Sequence, residues 1–362
     1  MDPGRDPRWD GSEARLVEAI RDEIASSTKE RITFARFMQC ALTEPGLGYY
    51  ATSELRPTRS GDFLTAPELH PFFGRCIGRL VAAAWESAGA PRTYRVHEYG
   101  GGRGTLRDNA TEGLRFDVEW TRADLPDRSD DVSGPADLIL ANEYLDALPV
   151  HRLLQEGELH EAYVGWDVGW FREVLDRPST PELAAHLEAD GVELHEGQRA
   201  EICLAAPRWI VAAARELAPG RILLVIDYGH DSADLYGPRR MAGSLLTYRE
   251  HEVADDPFSA VGHSDITAHI DITALERAAS DAGLELVGST TQAQFLGRLG
   301  LGQLLADLGR QPGMDPGAYM EARSAVARLL DPKHLGGFRV LAWARPAADG
   351  STPSLPGFAD TP

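Results

Sequence analysis

Long apolar runs are missing from this chain of 362 residues, and no stretch approaches the roughly 20 needed to span a bilayer. A membrane anchor is not expected. The opening residues, Met1 to Asp10, are polar and carry Pro and Arg with no apolar stretch behind them, which argues against a secretory leader. Cysteine is scarce. Cys40, Cys76 and Cys203 are widely spaced and odd in number, which suits a reducing compartment and offers no metal-ligand spacing. The expected location is the cytoplasm, the expected metal content none. Basic residues are outnumbered, 36 against 56 acidic, for a formal net charge of −20. Such a balance repels nucleic-acid phosphates and is compatible with a basic partner, although solubility alone accounts for it. No HExxH and no GxSxG occurs, and no Gly-Lys-Ser/Thr follows the glycines. Those absences speak against a zinc hydrolase, a serine hydrolase and a P-loop nucleotidase.

What is present is an ordinary globular balance, 43% hydrophobic and 25% charged, enough for a sizeable core. Residues 1–11 and 346–362 are rich in Pro, Gly, Asp and Ser and read as disordered. Leu16, Ile20 and Ile24 recur at helical steps, as do Phe34, Phe37, Met38 and Leu42, then Ile77, Leu80, Val81 and Trp85. Residues 12–90 are therefore read as a helical N-terminal segment. From Tyr94 the period changes. Tyr94 to Glu98 is a short strand, followed by Asp137 to Ala141, Arg221 to Asp227, Leu284 to Gly288 and Phe338 to Ala344, with helices between. Residues 91–345 read as an α/β, doubly wound Rossmann-like sheet. Insertions are expected at about 150–205, opening on an antiparallel hairpin, and at 230–272.

The strand ending at Glu98 runs into Tyr99-Gly100-Gly101-Gly102-Arg103-Gly104. Glycine permits positive φ and lets a ligand approach the backbone, and open sheets bind ligands at this strand end. A dinucleotide fingerprint would place its third glycine one residue later. An acid followed by Gly-x-Gly-x-Gly is instead similar to the cofactor turn of methyltransferases, which seats an adenosine cofactor with a cationic, amino-bearing end. Taken alone the pattern is equally a loop that merely turns the chain.

Seven blocks in order resemble the MidA-type family of S-adenosyl-L-methionine-dependent methyltransferases. These are Ile32 to Met38 with Leu42 to Tyr50, Gly61 to Glu68, the turn Glu98 to Gly104, Asn142 to Val150, Asp227-Tyr228-Gly229, Gly262 to Asp271, and Phe295-Leu296 with Leu299-Gly300. The family includes a mitochondrial complex I assembly factor that methylates a protein arginine. The resemblance implies a class I methyltransferase sheet, S-adenosyl-L-methionine as cofactor and a protein side chain, arginine, as acceptor. Two departures stand out. The family's usual Pro is Gly101 here, and only 37 residues separate Gly104 from Asn142. That is too few for two further strands with crossovers, so the sheet is expected to be shortened after its first strand. Either Phe116 to Trp120 is a short second strand carrying Glu119 as the ribose acid, or the acid strand is deleted and Trp120 to Pro126 is a later segment. The second alignment is preferred.

On this reading Glu98, Gly100, Gly102, Gly104, Glu119 and Asn142 are the candidate cofactor residues. Glu143 and Asp146, after the Asp137 to Ala141 strand, are candidates to hold a guanidinium by bidentate hydrogen bonds, with Asp227, Tyr228 and His251 beside them. Asp146 could equally cap a turn, and Tyr228 could equally be structural. Asp62, Thr65, Asp265 and His269 are candidates for the substrate side or a lid. The spacing His269-Ile-Asp271 would put His269 and Asp271 on one face of an extended segment. Two rivals stay open: methylation of a carboxylate or hydroxyl on a small molecule, and a methyltransferase fold that has lost catalysis and serves as a binding or assembly protein. No nucleic acid or membrane partner is expected. The N-terminal helices and the hairpin are candidate surfaces for a homodimer.

Overall fold

The computed structural model describes residues 7–53, 65–124, 130, 134–249, 252–254 and 256–358. The chain packs into two compact units. One comprises residues 64–145, 209–228 and 276–362, the other residues 1–63, 146–208 and 229–275.

The first unit is built on a six-stranded sheet. Its strands in chain order are β1 (Thr93–Tyr99), β2 (Asp117–Ala123), β3 (Ala136–Asn142), β4 (Leu217–Asp227), β5 (Glu285–Thr291) and β6 (Arg339–Arg345). They lie side by side as β5-β6-β4-β3-β1-β2. The first four are parallel, and β6 runs antiparallel to both β4 and β5. Strand β3 is buried along its whole length, and Ile222 to Ile226 of β4 and Val340 to Ala344 of β6 are buried too. Continuous apolar runs, rather than alternation, are what a sheet covered on both faces requires. The helix Pro71–Ser87 starts on Pro71, with the His70 ring accepting from the Phe72 amide at 3.2 Å. It presses Gly74 and Gly78 against the helix Thr105–Thr111, where a Cβ on Gly78 would run into the Ala110 carbonyl. Those two glycines set how closely the helices approach.

The chain leaves β1 outward to β2 and returns on the other side as β3. This reversal is the switch point at which open α/β sheets bind ligands. The crossover from Ala123 to Ala136 is too short for a helix and another strand. The shortening expected from the sequence is therefore real, but it falls elsewhere than the preferred alignment placed it. Strand β2 is present and pairs with β1 residue for residue, from Thr93 with Asp117 to Tyr99 with Ala123. The parallel ladder beside β1 needs a partner there, and residues 117–123 supply it.

The second unit joins three stretches of sequence. Strand Glu158–Asp167 is central, pairing antiparallel with Arg31–Thr33, His151–Glu156 and Trp170–Asp176, while His151–Glu156 also pairs with Arg199–Ile202. The expected hairpin is thus two strands of a five-stranded sheet. Helices Ala14–Ser26 and Phe34–Thr43 bury Leu16, Ile20, Ile24, Phe37 and Met38 in a core with Val164, Trp170 and Phe171. Each such side chain contributes about 1.5–3 kcal/mol on burial. The Thr33 hydroxyl caps the second of these helices, accepting from the Arg36 amide at 3.1 Å.

Among the described residues, part of each terminal stretch packs against the fold. Pro7–Gly11 is a 3-10 turn whose Trp9 ring packs edge-on against Trp166 and Trp170. In the tail, Leu355 and Phe358 are buried, with Phe358 against Gly288 and the Phe295 ring. Two apolar residues in a polar stretch are a weak sequence signal, and a glycine on β5 opens the space that receives them.

Candidate active site at the carboxyl edge of the sheet

Because β1 to β4 are parallel, their carboxyl ends share one edge. The residues that follow them, from Gly100, Asp124, Glu143 and Tyr228, therefore gather there. The turn after β1 has positive φ at Gly100, Gly102 and Gly104, as the glycine spacing requires. It closes with the Gly104 amide donating to the Gly101 carbonyl at 2.9 Å, and Gly104 opens the helix Thr105–Thr111. A Cβ on Gly100 would lie 2.9 Å from the Tyr144 ring. Among the described residues a Cβ on Gly102 would meet only the Gly100 carbonyl oxygen, at 4.0 Å, which leaves that face of the turn room for a ligand.

Glu98 is buried, and its carboxylate accepts from the Trp120 indole N–H at 2.7 Å. Burial pushes its pKa up to about 7, against the opposing pull of the Trp120 bond and of Arg107 and Arg122. Asn142 is buried at the end of β3, and its Oδ1 has no hydrogen-bond partner among the described residues. A buried acceptor without a donor is costly unless a ligand supplies one. Together with Glu98, this atom fits a cofactor with a cationic amino group.

Glu119 has another occupation. It sits in register with Arg95 in the first half of β2 and pairs with its guanidinium at 3.0 Å. It is therefore displaced along the strand from the carboxyl edge, which corrects its assignment as a cofactor residue. The acid at the edge is Asp124, directly after β2, whose Oδ2 accepts from the Gly102 amide at 3.2 Å. Residue type alone favoured neither. Only the pairing register, Tyr99 opposite Ala123, tells which acid reaches the turn.

Glu143 has φ of 51°, an uncommon conformation for a residue with a side chain. Its amide donates to the Ile226 carbonyl at 2.9 Å, and its carboxylate accepts from the Ala66 amide at 2.9 Å and the Asn142 side-chain amide at 3.1 Å. Burial, then Asp227 and Glu68, push its pKa up to about 7 while those two bonds pull it down. The backbone just after Thr65, rather than its hydroxyl, makes this connection. Asp227 is fully buried, with Oδ2 accepting from the Tyr144 and Leu145 amides and Oδ1 from the Tyr228 amide. Its carboxylate ties down the loop that carries Glu143. The Tyr228 ring lies 5.2 Å from that of Phe338.

Other candidates fall in the second unit. There the Asp146 carbonyl accepts from the Ala268 amide, and Asp265 accepts from the Tyr50 hydroxyl at 2.8 Å. His269 and Asp271 part company. The His269 ring lies 5.2 Å from His230, and burial, with His230 and Arg240 nearby, lowers its pKa to about 4. Asp271 accepts from the Ala274 amide and faces His186 at 3.1 Å. Asp62, Gly61 and His251 lie outside the described residues.

The model of a family of S-adenosyl-L-methionine-dependent methyltransferases matches residues 108–290, half of the chain. The chain belongs to this family. A solved structure from Burkholderia thailandensis, described as that of a likely methyl transferase bound to S-adenosyl-homocysteine, superposes with a TM-score of 0.83 at 30% identity, covering 99% of this chain and 97% of that one. The mitochondrial protein arginine methyltransferase NDUFAF7 homolog of Drosophila melanogaster is 27% identical over 393 residues, covering 92% of this chain and 85% of that protein. The Danio rerio protein arginine methyltransferase NDUFAF7 is 26% identical over 380 residues, covering 90% and 86%. The MidA-type resemblance is thereby established, and S-adenosyl-L-methionine is the cofactor of this methyltransferase. No helix among the described residues is long and apolar enough to cross a membrane.

Proposed function

We propose that this methyltransferase modifies an arginine side chain of a protein. The observation that carries the reading is Glu143, a half-buried carboxylate held by two amide donors at the strand edge that carries the glycine turn. A desolvated carboxylate gains most from a cation that brings its own donors, and a guanidinium offers them in a planar fork. A carboxylate acceptor would meet like charge there. The names of the Drosophila and zebrafish relatives point to the same acceptor.

The cofactor supplies an electrophilic methyl group on a sulfonium. Glu98 and Asn142 would hold its amino-bearing end, Gly102 would give it backbone room, and Asp124 would accept from its ribose hydroxyls. Glu143 would orient the acceptor guanidinium, fix which nitrogen faces the methyl group, and accept the proton that this nitrogen loses when it takes the methyl group. Asp227 keeps Glu143 in place through the Tyr144 and Leu145 amides. Cytoplasmic placement belongs to the same proposal, supported by three free thiols at Cys40, Cys76 and Cys203.

Incubation with isotopically labelled cofactor and basic protein acceptors, followed by mass spectrometry of the product, tests the acceptor. Methylarginine is expected, and label found only as a methyl ester or ether would overturn the reading. The ribose assignment has its own test. Asp124→Asn is expected to weaken S-adenosyl-homocysteine binding roughly 10- to 100-fold, the worth of one charged hydrogen-bond acceptor at about 1.5–3 kcal/mol. Glu119→Gln should stay within about twofold of wild type. Calorimetric titration of both variants decides between the two acids.

A further inference from the structure

We infer that Arg122, with Trp120, is a positioning residue for the cofactor: alternate side chains of β2 hold the glycine turn in its binding shape. The inference rests on the cofactor reading of that turn. Side chains two residues apart on a strand share a face, and the set facing the turn is Trp120 and Arg122 on β2 with Asp124 directly after it. Each reaches a different group of the turn. The Trp120 indole donates to Glu98 at 2.7 Å, the Arg122 Nη1 donates to the Gly102 carbonyl at 2.5 Å, and Asp124 accepts from the Gly102 amide at 3.2 Å. Both backbone polar groups of Gly102 are thus held by side chains of β2 and of the residue directly after it. The stem of Arg122 lies across the turn, since a Cβ on Gly101 would come within 3.1 Å of its Cγ and 3.0 Å of the Glu98 carboxylate.

Arg122 is itself anchored. Its amide donates to Asp130 Oδ2 at 2.8 Å, and its carbonyl accepts from the Asp130 amide at 2.9 Å. These two bonds occupy the outer edge of β2, where a further strand would otherwise pair. One residue of a short crossover thereby holds the edge residue whose guanidinium holds the turn. Gly100, Gly102 and Gly104 have the largest backbone entropy to lose. Fixing Gly102 before the ligand arrives removes that cost from binding.

The test uses the full chain and S-adenosyl-homocysteine as probe, with binding read by calorimetry. Arg122→Met keeps the apolar stem and removes the guanidinium. Its dissociation constant is expected to rise about tenfold, with Arg122→Lys recovering part of the loss because an ammonium can still donate to the Gly102 carbonyl. In transfer assays the cofactor KM should rise in parallel, while kcat at saturating cofactor stays within about twofold. Trp120→Phe, which keeps the ring packing and loses only the indole N–H, should weaken binding in the same direction if Arg122→Met fails to fold. Wild-type affinity in both Arg122→Met and Trp120→Phe would overturn the inference and leave the cofactor reading standing. A wild-type chain that does not bind the probe would overturn both.

Discussion

Glu143→Gln is expected to lower kcat for an arginine acceptor at least a hundredfold while leaving S-adenosyl-homocysteine affinity within about threefold. The amide keeps an oxygen for the Ala66 and Asn142 donors, and the uncommon backbone conformation at residue 143 is unchanged, so the loop should stay in place. What disappears is the negative charge facing the guanidinium. Positioned charge and proton acceptance together contribute roughly 10²–10⁴ in rate. Unaltered turnover in the glutamine variant would remove Glu143 from the mechanism. The pH profile offers a second check. With the free carboxyl at about 7, kcat/KM for a basic acceptor should fall as pH drops below that value, because the protonated form cannot pair with a cation. Stability moves the other way. The folded-state pKa is raised above the ordinary value of 4.5, so the contribution of Glu143 is fully present below 4.5 and is lost as pH rises through about 7. Its size is about 3 kcal/mol from the shift. Chemical denaturation at pH 5 and pH 8 should therefore show wild type losing more stability than Glu143→Gln across that interval. Parallel losses would show that the carboxyl titrates normally.

Asp227→Ala is expected to cost about 3–5 kcal/mol of stability, several buried amides being left without an acceptor at about 1–3 kcal/mol each, partly offset by relaxation. The carboxylate accepts from the Tyr144, Leu145 and Tyr228 amides, two of them directly after Glu143. Their release should let the loop move, so transfer should fall along with the denaturation midpoint. Asp227→Asn should be milder, because one oxygen remains to accept. A loss below about 1 kcal/mol in the alanine variant would show that water or other groups take over these amides.

The site was unevenly legible from the residues. The turn at Gly100, Gly102 and Gly104 could be read because positive φ demands glycine, and the pattern of glycines after a strand is local. The strand-end places of Glu98 and Asn142, next to recognisable motifs, are local signals as well. Glu119 and Asp124 are acids of one short segment, and which of them reaches the glycine turn hangs on how β2 aligns with β1. Asp227 looked catalytic because it ends a strand at the ligand edge. Its carboxylate in fact accepts two amides from the loop after β3, those of Tyr144 and Leu145, and the amide of Tyr228 next to it, a set of contacts that no local signal announces. Glu143 stood out in a motif, yet its conformation and its bond to the Ala66 amide, from a segment far back in the chain, had no sequence signal.

By itself the sequence determined the α/β class, the buried strands of the sheet, the glycine turn and, through blocks in a fixed order, the methyltransferase family. These follow from local rules: apolar runs make strands that are buried on both faces, and glycines take backbone angles that other residues avoid. Tertiary structure alone decided that β2 survives the shortening, that Asp124 rather than Glu119 reaches the glycine turn, that Arg122 reaches back to Gly102, and that Phe358 docks beside Gly288. Each of these depends on register or on contacts between distant segments. A one-residue change in register turns every side chain to the opposite face, so the chemistry at a strand's end is settled by its neighbour rather than by its own residues.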